Sequence, residues 1–222
     1  DMPTDALSTV LDSGNDTAAK AWQGCSGLAT VLATSDAVHL VSGDGSLALL
    51  EHVPDSIAVH FHLLEPHRGL HENVLHREID GSPKRSLGLT SALLSRARRR
   101  DIEAIRGLTD RPCSAISGNS SYTAARIGEV YGVEAGVLLP SVVSDEFPAK
   151  AGSDEPTELQ GIVAPYSVSV GRASWVKGTW ETISMLAGSG VSLAHVGGGA
   201  PEDLVRLTQH AESCGVGLWI AP

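Results

Sequence analysis

The chain has 222 residues, enough for one large or two small α/β domains, and 42% of them are hydrophobic, so we expect a buried core. Its formal charge of −10 argues against nucleic acid as a main partner, because phosphate backbones attract surplus lysine and arginine. Three cysteines, far apart and odd in number, indicate a reducing compartment without a disulfide framework. With neither a signal peptide nor an apolar run long enough for a bilayer, we expect a cytoplasmic protein.

Strand and helix patterns alternate along the first 140 residues. Short apolar runs predict strands, and stretches with one apolar face predict helices, in this order: helix 18–34, strand 36–42, short helix 46–52, strand 56–62, helix 86–107, strand 112–116, helix 121–131 and strand 135–139. The long helix is expected to bury Leu87, Leu89, Leu93, Leu94, Ile102 and Ile105. Such alternation predicts a parallel sheet with crossover helices.

A second α/β pattern follows an interruption. Residues 144–160 are acidic, aperiodic and broken by proline and glycine, which favours a linker. Beyond the linker the same patterns predict strand 162–170, helix 178–188, strand 191–196, helix 201–213 and strand 216–220. We therefore expect two domains, residues 1–156 with the linker and residues 157–222.

Two cations stand at the end of the first strand of the second domain. That strand is expected to be buried and to end in Gly171-Arg172, and Lys177 follows five residues after the arginine, just before a helix. Open parallel sheets bind ligands at the carboxyl ends of their strands. Arginine binds phosphate oxygens in a forked geometry, lysine adds a compact charge, and a helix amino terminus adds positive potential. The segment predicts a phosphate or diphosphate site; the simpler alternative is a surface arginine and lysine that close a β–α turn.

Three segments in this order resemble a known enzyme family. The first is the segment from Gly171 to Lys177, and the second, from Val191 to Leu204, has a strand, three glycines and then Pro201, which suits a first helical position. The third, from Cys113 to Val143, has a strand that ends in serine, a helix with a Tyr-Thr pair and a short strand before proline. Together they resemble glycosyltransferase family 4, retaining nucleotide-sugar transferases with two facing Rossmann-like domains, the GT-B fold. The resemblance spans roughly residues 36–222.

The resemblance implies a reaction and a donor site. A sugar would pass from a nucleoside diphosphate to a hydroxyl acceptor with retention at the anomeric carbon, without a metal or other cofactor. Arg172 and Lys177 would hold the donor diphosphate and stabilise the charge that grows on it in the transition state. Three glycines would belong to the same diphosphate site: Gly171, Gly197 and Gly199. Because the family's enzymes are longer and use a further glutamate loop, we expect the chain to be a fragment with both domains incomplete.

The resemblance also implies a histidine beside the donor sugar. Strand residues alternate between the two faces of a sheet, so Ile57, Val59 and Phe61 share one face while His60 and His62 share the other. His62 lies nearer the carboxyl end and is the best match for the histidine that orients the sugar, whereas His60 is expected to be a core histidine. Further candidates for the cleft or the acceptor are His39, Ser120, His67 and Arg68.

Other functions stay open at this point. A chain without transfer activity would be a non-catalytic nucleotide-sugar or phosphate-binding remnant. A metal-dependent hydrolase is the third candidate, because six histidines fall between His52 and His76, although their spacing lacks the metalloprotease helix pattern. The basic cluster Arg96–Arg100 would contact an anionic membrane, as in family members with lipid-linked acceptors, or form a solvated helix face paired with Asp101 and Glu103.

Overall fold

The computed structural model describes residues 20–42, 46–141, 162 and 164–221. The chain divides into two compact units, one of residues 1–75 and 87–142 and the other of residues 76–86 and 143–222. Each unit is built on a parallel sheet with helices, so the α/β class predicted from the sequence is confirmed. The linker expected over 144–160 lies outside the described residues. No described helix combines the length and the apolar character needed to cross a membrane.

A four-stranded parallel sheet in the order β1-β2-β3-β4 organises the first unit. Its elements are α1 (Leu28–Ala33), β1 (Ala37–Val41), a 3₁₀ helix (Ser46–His52), β2 (Ala58–Leu63), α2 (Arg68–His71), α3 (Leu87–Thr109), β3 (Ser114–Gly118), α4 (Ser121–Tyr131) and β4 (Gly136–Val137). A short 3₁₀ turn at Val74–His76 follows α2, where the chain passes from the first unit to residues of the second. Crossovers between parallel strands are right-handed, so strands that follow chain order place all their crossovers on one face. The apolar core lies on that face and includes Val38, Phe61, Ile105, Ile116 and Ile127.

The second unit repeats this arrangement with three parallel strands in the order β5-β6-β7. Its elements are β5 (Tyr166–Val170), a 3₁₀ turn (Trp175–Lys177), α5 (Thr179–Leu186), β6 (Ser192–Val196), α6 (Pro201–Cys214) and β7 (Leu218–Ala221). The helices bury one face of the sheet, in a core that includes Ile183, Leu193, Leu207 and Ala211. Pro201 opens α6, as its position after the glycine turn predicts.

The expectation that the first strand of the second unit is buried is wrong. β5 begins at Tyr166 rather than at residue 162, and Val168 and Val170 are 56% and 78% exposed. β5 is an edge strand, and these side chains point to the sheet face away from α5 and α6. An apolar run is therefore no proof of burial where all crossovers fall on the opposite face.

Residues 76–86 belong to the second unit, although in the sequence they precede α3. Ile79 is 2% exposed and completes the apolar core around Ile183. Arg206 on α6 bonds the carboxylates of Glu78 at 3.1 Å and Asp80 at 2.6 Å. The sequence patterns did not indicate this insertion, because no periodicity marks a loop that packs against a distant element.

Several element boundaries differ from those predicted. The helix expected over 18–34 is broken at residues 24–27, where Gly27 has a left-handed φ of 81° before α1 begins. β3 starts two residues later than predicted, after Cys113, whose φ of 54° does not fit a strand. On α3 the expected apolar face is wrong in part, because Leu89 and Leu93 are 61% and 51% exposed. The helix predicted over 121–131 is confirmed.

Candidate functional site

Two glycine turns lie in direct contact at the carboxyl ends of β5 and β6. The Gly171 N–H donates to the Val196 carbonyl at 2.9 Å, and the Ala173 N–H donates to the Gly198 carbonyl at 2.8 Å. Gly171 and Gly197 have φ values of 146° and 140°, a region that favours glycine. A Cβ on Gly197 would stand 2.7 Å from the carbonyl carbon of Gly171. The two turns therefore approach each other this closely only because residue 197 has no side chain.

Gly199 supports the same contact from the next position along the chain. Ala173, which is 1% exposed, pairs with Gly199 in a parallel bridge. A Cβ on Gly199 would stand 2.8 Å from the Cβ of Ala173. The structure thus gives Gly199 a packing role beneath the turns, next to the residues proposed from the sequence to hold an anion.

Both predicted cations lie beside the Gly171 turn. Arg172 follows Gly171 directly and is exposed, and Lys177 ends the 3₁₀ turn that leads to Gly178 and α5. The Cγ and Cδ atoms of Lys177 lie 3.8 Å from the place a Cβ would take on Gly171. Within the described residues, neither Arg172 nor Lys177 forms an ion pair. In the part of the chain that the structure describes, this edge of the sheet therefore carries two positive charges without an ion-pair partner, next to the electropositive amino terminus of α5.

A third cation, Arg77, lies against the 3₁₀ turn that ends at Lys177. The Arg77 guanidinium lies 5.1 Å from the ring centroid of Trp175, and its Nη1 donates to the Gly81 carbonyl at 2.6 Å. Trp175 begins the 3₁₀ turn that ends at Lys177. No pattern in the sequence indicates Arg77, since the contact joins segments about a hundred residues apart.

His195 lies beneath the glycine turns on the helix-covered face of β6. It is 1% exposed, its Nδ1 lies 3.3 Å from the Ser169 hydroxyl, and its Nε2 is buried without a hydrogen-bond partner in the described residues. Burial lowers the pKa of His195, while the backbone of Gly171 acts in the opposite direction. The neutral form of the His195 imidazole is therefore favoured.

Three histidines and a serine form a connected cluster on the first unit. His39 on β1 stands beside His60 on β2, and His62 stands beside Ser117 on β3 in the parallel register. All four side chains lie on the sheet face away from the apolar core. Nδ1 of His39 lies 2.8 Å from Nδ1 of His60, and the Ser117 hydroxyl lies 2.9 Å from both Nε2 of His60 and Nδ1 of His62.

The four side chains of the cluster differ in their exposure to solvent. His39 is exposed, His60 is half-buried, and His62 and Ser117 are 9% and 5% exposed. Burial, followed by the repulsion of His39 and His62, lowers the pKa of His60, so the neutral form is favoured. The expectation that His60 is a core histidine is wrong: it is hydrogen-bonded, but on the face opposite the apolar core. The sequence placed His60 and His62 on one face but did not indicate that Ser117 would join them.

The remaining predicted acceptor residues have local partners. Ser120 caps α4 by accepting from the Thr123 N–H at 3.1 Å, and Arg68 pairs with Glu65 at 2.5 Å. The His67 N–H donates to the Tyr131 hydroxyl at 3.2 Å, while its Nδ1 is buried without a hydrogen-bond partner in the described residues. Among the described residues, no hydrogen bond or ion pair joins these residues to the histidine cluster.

One arginine of the basic cluster on α3 has hydrogen-bond partners within the first unit. Arg98 donates to the Leu70 carbonyl and, at 3.0 Å, to the Ser91 hydroxyl. Asp101 does not pair with the arginines as expected; it binds His71 at 2.8 Å and accepts from the Tyr131 hydroxyl at 3.0 Å. Burial and the Asp101 charge raise the pKa of Tyr131, which keeps this phenol protonated. The exposed members that remain are Arg96, Arg99 and Arg100, which line a shallow concavity with Glu103.

Among the described residues, no group of three histidine, cysteine or acidic side chains is arranged to hold a metal ion. Comparison with known proteins finds no matching family model and no matching curated protein.

Proposed function

We propose that the chain takes part in the transfer of a sugar from a nucleoside diphosphate to a hydroxyl acceptor, with retention at the anomeric carbon. In this proposal its two units are Rossmann-like domains of the GT-B type. Residues at the edge of the second sheet bind the diphosphate. The observation that carries the proposal is the pair of cations, Arg172 and Lys177, beside the Gly171 turn without a carboxylate partner in the described residues.

The chemistry of the edge suits a diphosphate. Arginine offers several donors in one plane and lysine offers a compact charge, so together they can bind oxygens of both phosphates. When the bond from the anomeric carbon to the phosphate breaks, negative charge grows on the diphosphate. Cations fixed beside it stabilise that charge more strongly in the transition state than in the ground state.

Calorimetric titration with UDP, GDP, ADP and dTDP tests the binding step. We expect one nucleotide to bind, and the variant Arg172→Ala/Lys177→Ala to bind about 100-fold more weakly, because two charged hydrogen bonds of about 1.5 kcal/mol each are lost. The matched control is Arg99→Ala/Arg100→Ala, which removes two exposed charges from α3 and should leave the affinity unchanged. A folded wild type that binds none of the four, or a double variant with wild-type affinity, would contradict the proposal.

Turnover separates transfer from binding alone. With sugar nucleotides of the preferred base and a panel of hydroxyl acceptors, nuclear magnetic resonance of the product should show the donor's anomeric configuration. Tight nucleotide binding without any product would instead favour the non-catalytic remnant as the function of this chain.

The acceptor side of the proposal includes contact with an anionic membrane. Leu89 and Leu93, both more than half exposed, share one helical stripe with Arg96 and Arg100. Apolar side chains next to cations suit a surface of acidic lipids. Sedimentation with phosphatidylglycerol vesicles should therefore exceed that with phosphatidylcholine vesicles, and Leu89→Ser/Leu93→Ser should abolish the difference. Equal sedimentation with both would remove the membrane from the proposal.

A further inference from the structure

We propose that His39, His60, Ser117 and His62 form a proton relay, which carries a proton between solvent at His39 and a group bound at His62. The relay deepens the proposed function, on which it rests for the identity of the bound group, a hydroxyl acceptor, and it gives His62 a role in addition to the sugar contact that the family resemblance implies. Three consecutive hydrogen bonds of 2.8, 2.9 and 2.9 Å connect the four side chains. All four side chains come from neighbouring strands of one sheet, so no loop is needed to assemble the relay.

The direction of the hydrogen bonds follows from the atoms involved. A neutral imidazole donates through one nitrogen and accepts through the other, and a serine hydroxyl has one proton to donate. In two arrangements of the ring protons, which we call the two patterns, the serine proton takes part in a hydrogen bond of the relay. In the first, His39 carries its proton on Nδ1, and His60 and His62 carry theirs on Nε2, so that Ser117 donates to His62. In the second, His39 carries its proton on Nε2, and His60 and His62 carry theirs on Nδ1, so that Ser117 donates to His60.

One proton transferred through the chain converts the second pattern into the first. His62 Nε2 takes a proton from the bound hydroxyl and passes its Nδ1 proton to Ser117. Ser117 passes its own proton to His60 Nε2, His60 passes its Nδ1 proton to His39 Nδ1, and His39 releases its Nε2 proton to water. One proton enters at His62 and one leaves at His39, and every ring is neutral before and after.

The surroundings favour this neutral transfer over a charged histidine. Among the described residues, the charges that act on His60 are those of His39 and His62, both of which disfavour a cation there. Among the described residues, no carboxylate forms a hydrogen bond or an ion pair with the cluster, so none stabilises an imidazolium there. Moving a proton without leaving a charge behind is therefore the easier route through this part of the sheet.

The relay is tested by the tautomers of the three histidines, measured by nitrogen-15 resonance on the full chain without any nucleotide. We expect wild type to populate the two patterns above. His39→Phe keeps an aromatic ring at an exposed position but removes its nitrogens, so it should change the tautomer ratio at His62, which His39 does not touch by a hydrogen bond. Ser117→Ala should do the same by interrupting the chain.

The matched control is Ser114→Ala on the same strand, because the Ser114 hydroxyl donates to the Arg111 carbonyl and lies outside the cluster. It should leave the His62 tautomers as in wild type. The relay would be overturned if the tautomer ratio of His62 were unchanged in both His39→Phe and Ser117→Ala. It would also be overturned if wild type carried the His60 proton on Nε2 and the His62 proton on Nδ1, because the serine proton would then lie outside the relay. The nucleotide titration probes the second unit and the tautomer measurement probes the first, so a negative result in one experiment does not change the result of the other.

Discussion

The contact between the two glycine turns gives the sharpest test of the second unit. Gly197→Ala adds a Cβ that would stand 2.7 Å from the carbonyl carbon of Gly171, whereas ordinary carbon–carbon contacts are about 3.5–4.0 Å. The Gly171 carbonyl oxygen would stand closer still, so the turns must separate by at least roughly 0.8 Å, or the backbone must leave its φ of 140°.

The expected loss of stability has two parts. Holding alanine in a backbone region reserved for glycine costs about 1–3 kcal/mol. Overpacking a rigid contact costs about another 1–3 kcal/mol. The free energy of unfolding should fall by about 2–6 kcal/mol, a large share of the roughly 5–15 kcal/mol of an ordinary domain.

Urea unfolding followed by tryptophan fluorescence measures this loss, because Trp175, Trp180 and Trp219 all lie in the second unit. The matched control is Gly198→Ala, whose Cβ would have no heavy atom within 4 Å. It should change the free energy of unfolding by no more than about 0.5 kcal/mol. If Gly197→Ala unfolds at the same urea concentration as Gly198→Ala, the steric reasoning about the two turns is refuted.

Two further predictions concern the second unit. Ile79→Ala should lower the free energy of unfolding of this unit by about 2–5 kcal/mol, because the Ile79 side chain is 2% exposed. The control Val205→Ala, on the exposed face of α6, should change the free energy of unfolding little. Equal effects of the two variants in the same urea titration would contradict the packing of residues 76–86 into the second unit. The folded-state pKa of His195 is lowered, so the folded chain binds this proton less readily than the unfolded chain. The stability that its neutral form contributes is full above the ordinary pKa of about 6.5 and is lost as the pH falls below it, by at most about 1.4 kcal/mol per pH unit. His195→Gln should flatten this part of the pH dependence of unfolding, and an unchanged slope would count against the burial of a neutral ring.

Part of the candidate site follows from local patterns. Period-two alternation alone puts His60 and His62 on the face away from Phe61, since a strand has only two faces. The order glycine, arginine, lysine places two cations after a strand and before a helix, and β5 and α5 lie on either side of them as predicted. These features depend on residues close together in the chain, where the backbone fixes the geometry.

Other parts of the site depend on contacts that no local pattern encodes. Ser117 joins the histidines because β3 pairs with β2 in a particular register, and a shift of one residue would turn it to the other face. Arg77 comes near the Lys177 turn because Ile79 is buried in the second unit's core, far along the chain from its partners.

The alternation of strands and helices, the α/β class and the two faces of each strand can be read from the sequence, because they follow from the spacing of apolar residues. Which face of a strand is covered depends on the order of the strands in the folded sheet. Right-handed crossovers between strands in chain order lie on one side of each described sheet, which leaves Val168 and Val170 exposed and the histidine cluster outside the apolar core. The same apolar or polar residue thus becomes core or surface according to strand order, a property of the whole sheet rather than of any segment.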